Sequence, residues 1–323
     1  MLEVLIDNRD GQLWDVSELT AELSWKTSRI AKPSSVELTL IRGALYQSAA
    51  FKLEPGAIVR VRQGETPVFF GYIFTVEQSS SEQVKLTAYD QLRYWLASDT
   101  YVFANQTAAE IIRRIAGDLG AKIGELPDTK YVIPSMVEDG QKLLDIALKA
   151  LDLTLIAGQG NYMLFDHFGA LTVRDINVLE LFFSIGDDSL LYDYSFKRSI
   201  DEETYTRVKL VRDNKETKAR DVYVAQDSAN IAKWGRLQLY HKANDSMNEA
   251  QLKELLNNLM SRHNREQRTL SLQALGDIRV RAGHYVFIFM KELGLEKPFL
   301  VEECSHSFTG GEHTMNLELK VIA

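Results

Sequence analysis

The chain has a single cysteine, Cys304, so no disulfide can staple it internally and the fold must rest on a hydrophobic core. It also lacks any uninterrupted apolar run near the roughly 20 residues that a membrane helix requires, so membrane insertion is not expected. The N-terminus, Met-Leu-Glu-Val-Leu-Ile-Asp, has neither the basic region nor the apolar stretch of a secretory signal, and cytoplasmic folding is the expectation. Without such a signal, the sequons Asn105-Gln106-Thr107 and Asn244-Asp245-Ser246 read as coincidental. An excess of Lys and Arg is missing too. The net charge is −8, which argues against a nucleic-acid binder that neutralises phosphates. Hydrophobic residues make up 45% and charged residues 25% of the 323 positions, a balance that excludes disorder and allows two or three cored domains.

What is present is mostly alternation. Leu19, Ala21, Leu23 and Trp25 form one period-two run, Val36, Leu38 and Leu40 another, followed by Ile58–Val61, Val68–Phe74 and Val84–Ala88. These predict a small β-barrel or sandwich over residues 1–99, closed by a short helix at Asp90–Leu96. Residues 100–192 read as α+β. Thr107-Ala108-Ala109-Glu110 is a capping box ahead of an apolar face of Ile111, Ile112, Ile115, Ala116 and Leu119. A second helix is predicted over Gln141–Leu151, then strands at Leu153–Ile156, Tyr162–Phe165 and Ala170–Arg174. Residues 193–323 return to β: Ser195–Ser199, Arg207–Val211, Asp221–Val224, Thr269–Leu275, Val280–Ile288, Phe299–Cys304 and Thr314–Val321. A helical insertion lies near 228–266, whose longer helix is predicted to open on a second capping box, Ser246-Met247-Asn248-Glu249. The fold class is thus α+β and β-rich, with two β-barrel-like domains linked by an α+β domain.

A search for chemistry returns no catalytic, cofactor-binding or metal-binding residue. Gly158-Gln159-Gly160 is only G-x-G and is predicted to join two strands, whereas a phosphate cradle needs a helix N-terminus at its glycines. Cys304 and His306 lie two apart in a β run and share a face, which reads as packing. His306 and His313 flank the turn Thr309-Gly310-Gly311-Glu312 and are expected to face one another. With Glu312 or Cys304 they would make three metal ligands, but neither H-E-x-x-H nor C-x-x-C is present, and cross-strand polar pairing is the reading. The acidic groups Asp187-Asp188, Asp201-Glu202-Glu203 and Glu302-Glu303 show no paired-carboxylate logic. Arg60-Val61-Arg62, and Arg262, His263, Arg265 and Arg268 at a helix end, come without interleaved exposed aromatics.

Several stretches resemble a known family. Phe70-Gly71-Tyr72-Ile73-Phe74 with Lys85–Asp90 is similar to the closing strands of the first barrel of phage tail hub proteins. Tyr205–Leu210, Asp221–Ser228, Ala232–Gly235, Leu275–Gly283 and His306–Leu319, in that order, resemble the XkdQ-type baseplate hubs of contractile prophages and phage-tail-like particles. The resemblance implies a structural, non-enzymatic part with no cofactor. It implies a homotrimer whose two barrels per subunit make a six-fold-like ring between the tail tube, or a tube-initiator protein, and a three-fold central spike. A tape-measure protein and a LysM-type baseplate protein are further implied neighbours, with no specific nucleic acid. The implied location is a virion or phage-tail-like particle assembled in the bacterial cytoplasm. The alternative is a glycan- or receptor-binding tail module, since β-rich domains bind glycans through exposed aromatics; a cell-wall hydrolase is a third reading. Trp14, Trp25, Trp95 and Trp234 are spread along the chain, and Trp25 falls in an alternating buried pattern.

Overall fold

The computed structural model describes residues 2–320, apart from residues 31, 43–47, 49, 81, 188, 215, 216 and 246 and the side chain of residue 320. The protein is β-rich with few helices, as the alternation predicts. Contacts divide it into a larger unit, residues 1–195 with 271–320, and a smaller one, residues 196–270.

The larger unit begins with β1 (Leu2–Asp7), β2 (Leu13–Asp15), β3 (Thr20–Ser28), β4 (Ser35–Ile41), β5 (Ile58–Gln63), β6 (Thr66–Gln78) and β7 (Gln83–Tyr89). The period-two residues Leu23, Trp25, Val36, Leu38, Leu40, Val59, Val61, Val84, Leu86 and Ala88 point into one shared core, and their neighbours face outward. A 3₁₀ turn, Gln91–Leu96, follows. Asp90 caps it by accepting from the Leu92 amide at 2.9 Å, and Leu92 and Trp95 drop from it into the next core.

That second core lies under β8 (Ser98–Thr107), α1 (Ala108–Asp118), β9 (Val132–Lys142), α2 (Leu143–Ile156), β10 (Tyr162–Asp166) and β11 (Leu171–Asp175). The Thr107/Glu110 capping box opens α1 as expected, and Ile111, Ile112, Ile115 and Ala116 are buried. Three findings depart from the sequence reading. The strands β8 and β9 were not anticipated; they pair antiparallel across the intervening helix, with Val102 opposite Val137. Leu153–Ile156 is the last turn of α2 and not a strand, because a short, mostly apolar run fits either period; here Thr154 continues the buried helical face of Leu143, Leu144, Ala147 and Leu151, and Leu155 and Ile156 are exposed. Gly158–Gly160 therefore joins a helix to a strand.

The rest of the larger unit is β12 (Glu180–Gly186), also unanticipated, and β13 (Leu191–Ser199), whose last residues cross into the smaller unit. The smaller unit continues with β14 (Arg207–Asn214), β15 (Ala219–Gln226), α3 (Ser228–Trp234), β16 (Gln238–Lys242) and α4 (Glu249–His263). The chain then returns through β17 (Gln267–Leu275), β18 (Tyr285–Met290), β19 (Leu295–Thr309) and β20 (Glu312–Lys320). The Val280–Ile288 strand is thus shortened at its start: Val280 lies in a turn, bonded to the Asp277 carbonyl. The predicted cap at Ser246 falls outside the described residues. The box that opens α4 is Asn248 with Gln251, each side chain bonding the other's amide at 2.9 Å.

Thirteen strands share one sheet, in the order β13-β17-β20-β19-β3-β4-β7-β6-β5-β1-β2, with β12 and β18 attached beside β19. The 15-residue β19 is its spine. One edge carries β20; along the other, its first half pairs with β18 and its second half with β3. Residues near both ends of the sequence are thereby hydrogen-bonded into the same sheet. At the turn from β12 to β13, Gly186 (φ 153°) lies so close to β18 that a Cβ would sit 1.8 Å from the Phe289 carbonyl oxygen.

Candidate functional site

Two polar clusters lie in the larger unit, and the residues that the sequence points to gather in one of them. The first surrounds the β19–β20 hairpin. Cys304, His306 and Trp25 are buried, and the His306 imidazole stacks on the Trp25 indole at 5.0 Å between centroids. Nε2 of His306 lies 2.8 Å from the Val280 carbonyl oxygen and 3.2 Å from Cys304 Sγ, while Nδ1 lies 2.9 Å from Nε2 of His313. A carbonyl only accepts, so His306 carries its hydrogen on Nε2 and His313 donates from its own Nε2 into Nδ1. Gly276 makes room for this: a Cβ there would meet the His313 ring at 2.1 Å. Burial pushes the His306 pKa down to about 4 and the Cys304 thiol above its ordinary range. A thiol held protonated is a poor nucleophile and a poor metal ligand. His306 and His313 thus face one another as expected, and both His306 ring nitrogens, the Cys304 thiol and the His313 Nε2 are engaged within the fold.

The second cluster was not visible in the sequence. Asp90 accepts from the Ser34 and Leu92 amides, both at 2.9 Å, and Ser34 Oγ accepts from the Trp25 indole at 3.0 Å. Asp166 accepts from Gln91 Nε2 at 2.6 Å and from the Gly169 amide at 2.7 Å. The Arg281 guanidinium donates to the Asp166 backbone carbonyl at 3.2 Å and lies over the Phe165 ring at 4.8 Å, while its Nε has no hydrogen-bond partner among the described residues. Burial, reinforced by the neighbouring Asp166, raises Asp90 well above the usual carboxylate range. Burial also raises Asp166. One guanidinium among two buried carboxyl groups is a structural knot that joins three distant stretches of sequence.

The remaining candidates disperse. Glu302 forms a two-point ion pair with Arg29 (2.8 and 3.0 Å), Glu303 meets Lys32 at 2.5 Å, and Asp187 accepts from the Lys291 amide at 2.8 Å. Asp188 lies outside the described residues, and Asp201–Glu203 are exposed. At the end of α4, His263 Nδ1 lies 3.1 Å from the Glu203 carbonyl oxygen, and Arg268 pairs with Glu266. The glycines at 158–160 follow a helix C-terminus, where carbonyls and not amides are presented, the wrong end for an anion. No group of three His, Cys, Asp or Glu side chains among the described residues could hold a metal, and no described helix is long and apolar enough to cross a membrane.

Arg60 and Arg62 do meet aromatic rings: Arg60 lies over Phe70, its cross-strand partner on β6, and Arg62 over Phe168 at 4.9 Å. Phe70, Tyr72 and Phe74 form a ladder continued by Tyr94 and Tyr89, with Arg9 and Arg93 also over its rings. The ladder is half-buried apart from Tyr94, which is exposed. Trp25 and Trp95 are buried and Trp14 and Trp234 half-buried, an arrangement that fits packing better than a sugar-stacking platform.

Known proteins give this architecture a context. The chain is 32% identical over 314 residues to the phage-like element PBSX protein XkdQ of Bacillus subtilis, covering 94% of this chain and 93% of the relative. It is 31% identical over 306 residues to the B. subtilis protein YqbQ, covering 93% and 92%. The crystal structure of the 43 kDa tail protein of prophage MuSo2 from Shewanella oneidensis superposes over 98% of both chains with a TM-score of 0.73 at 13% identity, which shows a shared fold. A family model described as YQBQ-like matches residues 23–320, and with two relatives above 30% identity along nearly the whole chain, the protein belongs to the YQBQ-like family.

Proposed function

We propose that the protein is a structural baseplate hub of a contractile phage-type tail, built into a virion or a phage-tail-like particle after assembly in the bacterial cytoplasm. The observation that carries this reading is the end-to-end similarity to a protein of a phage-like element, on a fold shared with a prophage tail protein. In this reading three copies form a ring. Barrels at about residues 1–99 and 193–323, joined by the α+β segment 100–192, contribute two quasi-equivalent units per copy. Six such units match a six-fold tail tube or a tube-initiator protein on one side, and the three-fold ring seats a central spike on the other. The tape-measure protein and a LysM-type baseplate protein are the further neighbours. Two observations support a non-enzymatic part: the buried polar clusters are spent on internal hydrogen bonds, and the acidic groups do not converge. Pairing between sheet edges of adjacent copies would protect those edges from unspecific association.

Light scattering on the purified chain, with electron-microscopic class averages, tests the ring. A trimeric mass and a ring with a central channel are expected. A monomer at all accessible concentrations, together with absence of the chain from purified tail particles, would overturn the reading.

A further inference from the structure

Within the smaller unit, among the described residues, one sheet face carries no helix or strand packed on it. Its three strands run β15-β14-β16, and α4 covers one side by packing Leu252 and Leu256 onto Val208 and Leu210. The opposite side is fixed by register: Lys209 sits between Val224 and Tyr240, and Val211 between Val222 and Lys242. Directly opposed residues share a face, so Val222, Val224 and Tyr240 lie together with Lys209, and they are 49%, 43% and 52% exposed in the whole chain. Among the described residues, neither β15 nor β16 takes a further strand on its outer edge.

The charge on this face is as informative as its bareness. Among the described residues Lys209 makes no ion pair, and the Arg207 side chain bonds only the neutral Gln226, at 3.0 Å. Arg220 and Lys242 both lean on Asp213, so two cations share one carboxylate. The face therefore sets cations, with Lys209 on the central strand, among the exposed apolar residues Val222, Val224 and Tyr240 of the two outer strands. Residues 196–270 carry 15 Lys and Arg against 11 Asp and Glu, a net +4, whereas the rest of the chain carries 22 against 34, a net −12. The chemistry that completes this face is a surface that offers carboxylates among apolar groups, and the rest of the same protein, about three-quarters of it, is strongly acidic.

We propose that this face docks against the acidic larger unit of a second copy of the chain, head to tail. Such a heterologous contact closes into a ring when its rotation permits. The inference rests on the trimeric reading above and adds to it which surface makes the contact and what kind of force selects it. Opposite potentials would steer the copies together and screening would loosen them, so assembly should depend on salt.

The test compares the wild-type chain with two variants, Lys209→Glu with Lys242→Glu, and Val222→Ser with Val224→Ser. Sedimentation velocity is run at low and high salt, and far-UV circular dichroism confirms that each variant is folded. Wild type should be oligomeric and dissociate as salt rises. Each variant should raise the dissociation constant about tenfold or more, and the charge-reversed one should lose most of the salt dependence. Carbodiimide coupling in a mixture of isotope-labelled and unlabelled wild-type chains should join Lys209 to carboxylates of residues 1–195 or 271–320 of the other copy. Folded variants that keep the wild-type oligomer would overturn this proposal and leave the ring standing. A wild-type monomer under all conditions would overturn the ring as well.

Discussion

His306 Nδ1 and His313 Nε2 lie 2.9 Å apart, so the two imidazoles share one hydrogen between them. Neither can take a second proton there without two N–H groups pointing at each other. Arg281 adds a further cation nearby and Asp277 the opposing charge, itself tied to Arg279 at 2.5 Å. Trp25 covers the pair from β3.

Stability should therefore fall on acidification. The unfolded His306 binds a proton below its ordinary pKa near 6.5, whereas the folded one stays neutral until about 4, so the unfolded state gains protons in that window. The stabilisation is fully present above 6.5 and is lost as the pH falls to 4. A shift of this size corresponds to about 3 kcal/mol. Urea unfolding at several pH values between 7.5 and 4 should show the decline in wild type. His306→Phe should be less stable at pH 7.5, because the Val280 carbonyl loses its donor, and should have a visibly flatter slope. An unchanged slope would sink the assignment.

Cys304 should behave as a core residue. It is buried, with its thiol 3.6 Å from the Val280 carbonyl oxygen and held protonated. Thiol reagents should leave the native chain unlabelled at pH 8 and label it stoichiometrically in denaturant. Cys304→Ala should cost about 1 kcal/mol of packing and polar contact while leaving the oligomer intact. Rapid native labelling would contradict the burial.

How much of this was legible in the sequence depends on the distance over which each feature is encoded. The His306–His313 pairing was readable because a single tight turn separates the strands and alternation fixes the face. The capping box at Thr107 was readable within four residues. β9 was not: Val132–Lys142 contains Pro134 and Asp139-Gly140, the composition of a turn, and it is a strand only because β8 lies beside it. The Arg60–Phe70 contact was missed for the same reason, since the partner ring comes from the neighbouring strand. The Asp90–Asp166–Arg281 knot is further out of reach. Arg281 is 115 positions from the carbonyl it bonds, and no local pattern encodes such a contact.

That knot gives a pair of opposed predictions. Arg281→Met removes the cation that, among the described residues, faces two buried carboxyl groups, and should cost about 3 to 5 kcal/mol. Asp90→Asn should cost less, because the folded protein already favours a neutral group at this position. Its pH signature is the reverse of the histidine one. A carboxyl raised on folding contributes stability that is complete below its unfolded pKa near 3.8 and is lost as pH rises through the higher folded value. Asp90→Asn should remove that component, so acid unfolding of the variant should be steeper than that of wild type. A variant as costly as Arg281→Met, with an unchanged pH profile, would show that Asp90 is charged in the fold.

Gly186 tests the turn that links β12 to β13. Its amide bonds the Ser189 carbonyl at 3.2 Å, the next amide, of Asp187, bonds the Phe289 carbonyl at 2.9 Å, and the Gly186 φ of 153° is one that side chains rarely adopt. An added methyl would press on the Phe289 carbonyl oxygen, which is backbone and cannot rotate aside. Gly186→Ala therefore has to push β12 away from β18, and those two strands pair at Ser184–Phe287, Ile185–Ile288 and Gly186–Phe289. A loss of about 3 kcal/mol or more is expected, at the severe end of single substitutions. Gly117→Ala is the control: it lies within α1 with open space where the Cβ would go, and it should stabilise the helix by up to about 1 kcal/mol. Thermal unfolding of the two variants should move in opposite directions. If Gly186→Ala unfolds with wild-type stability, the close approach of β12 to β18 is not a feature of the folded chain.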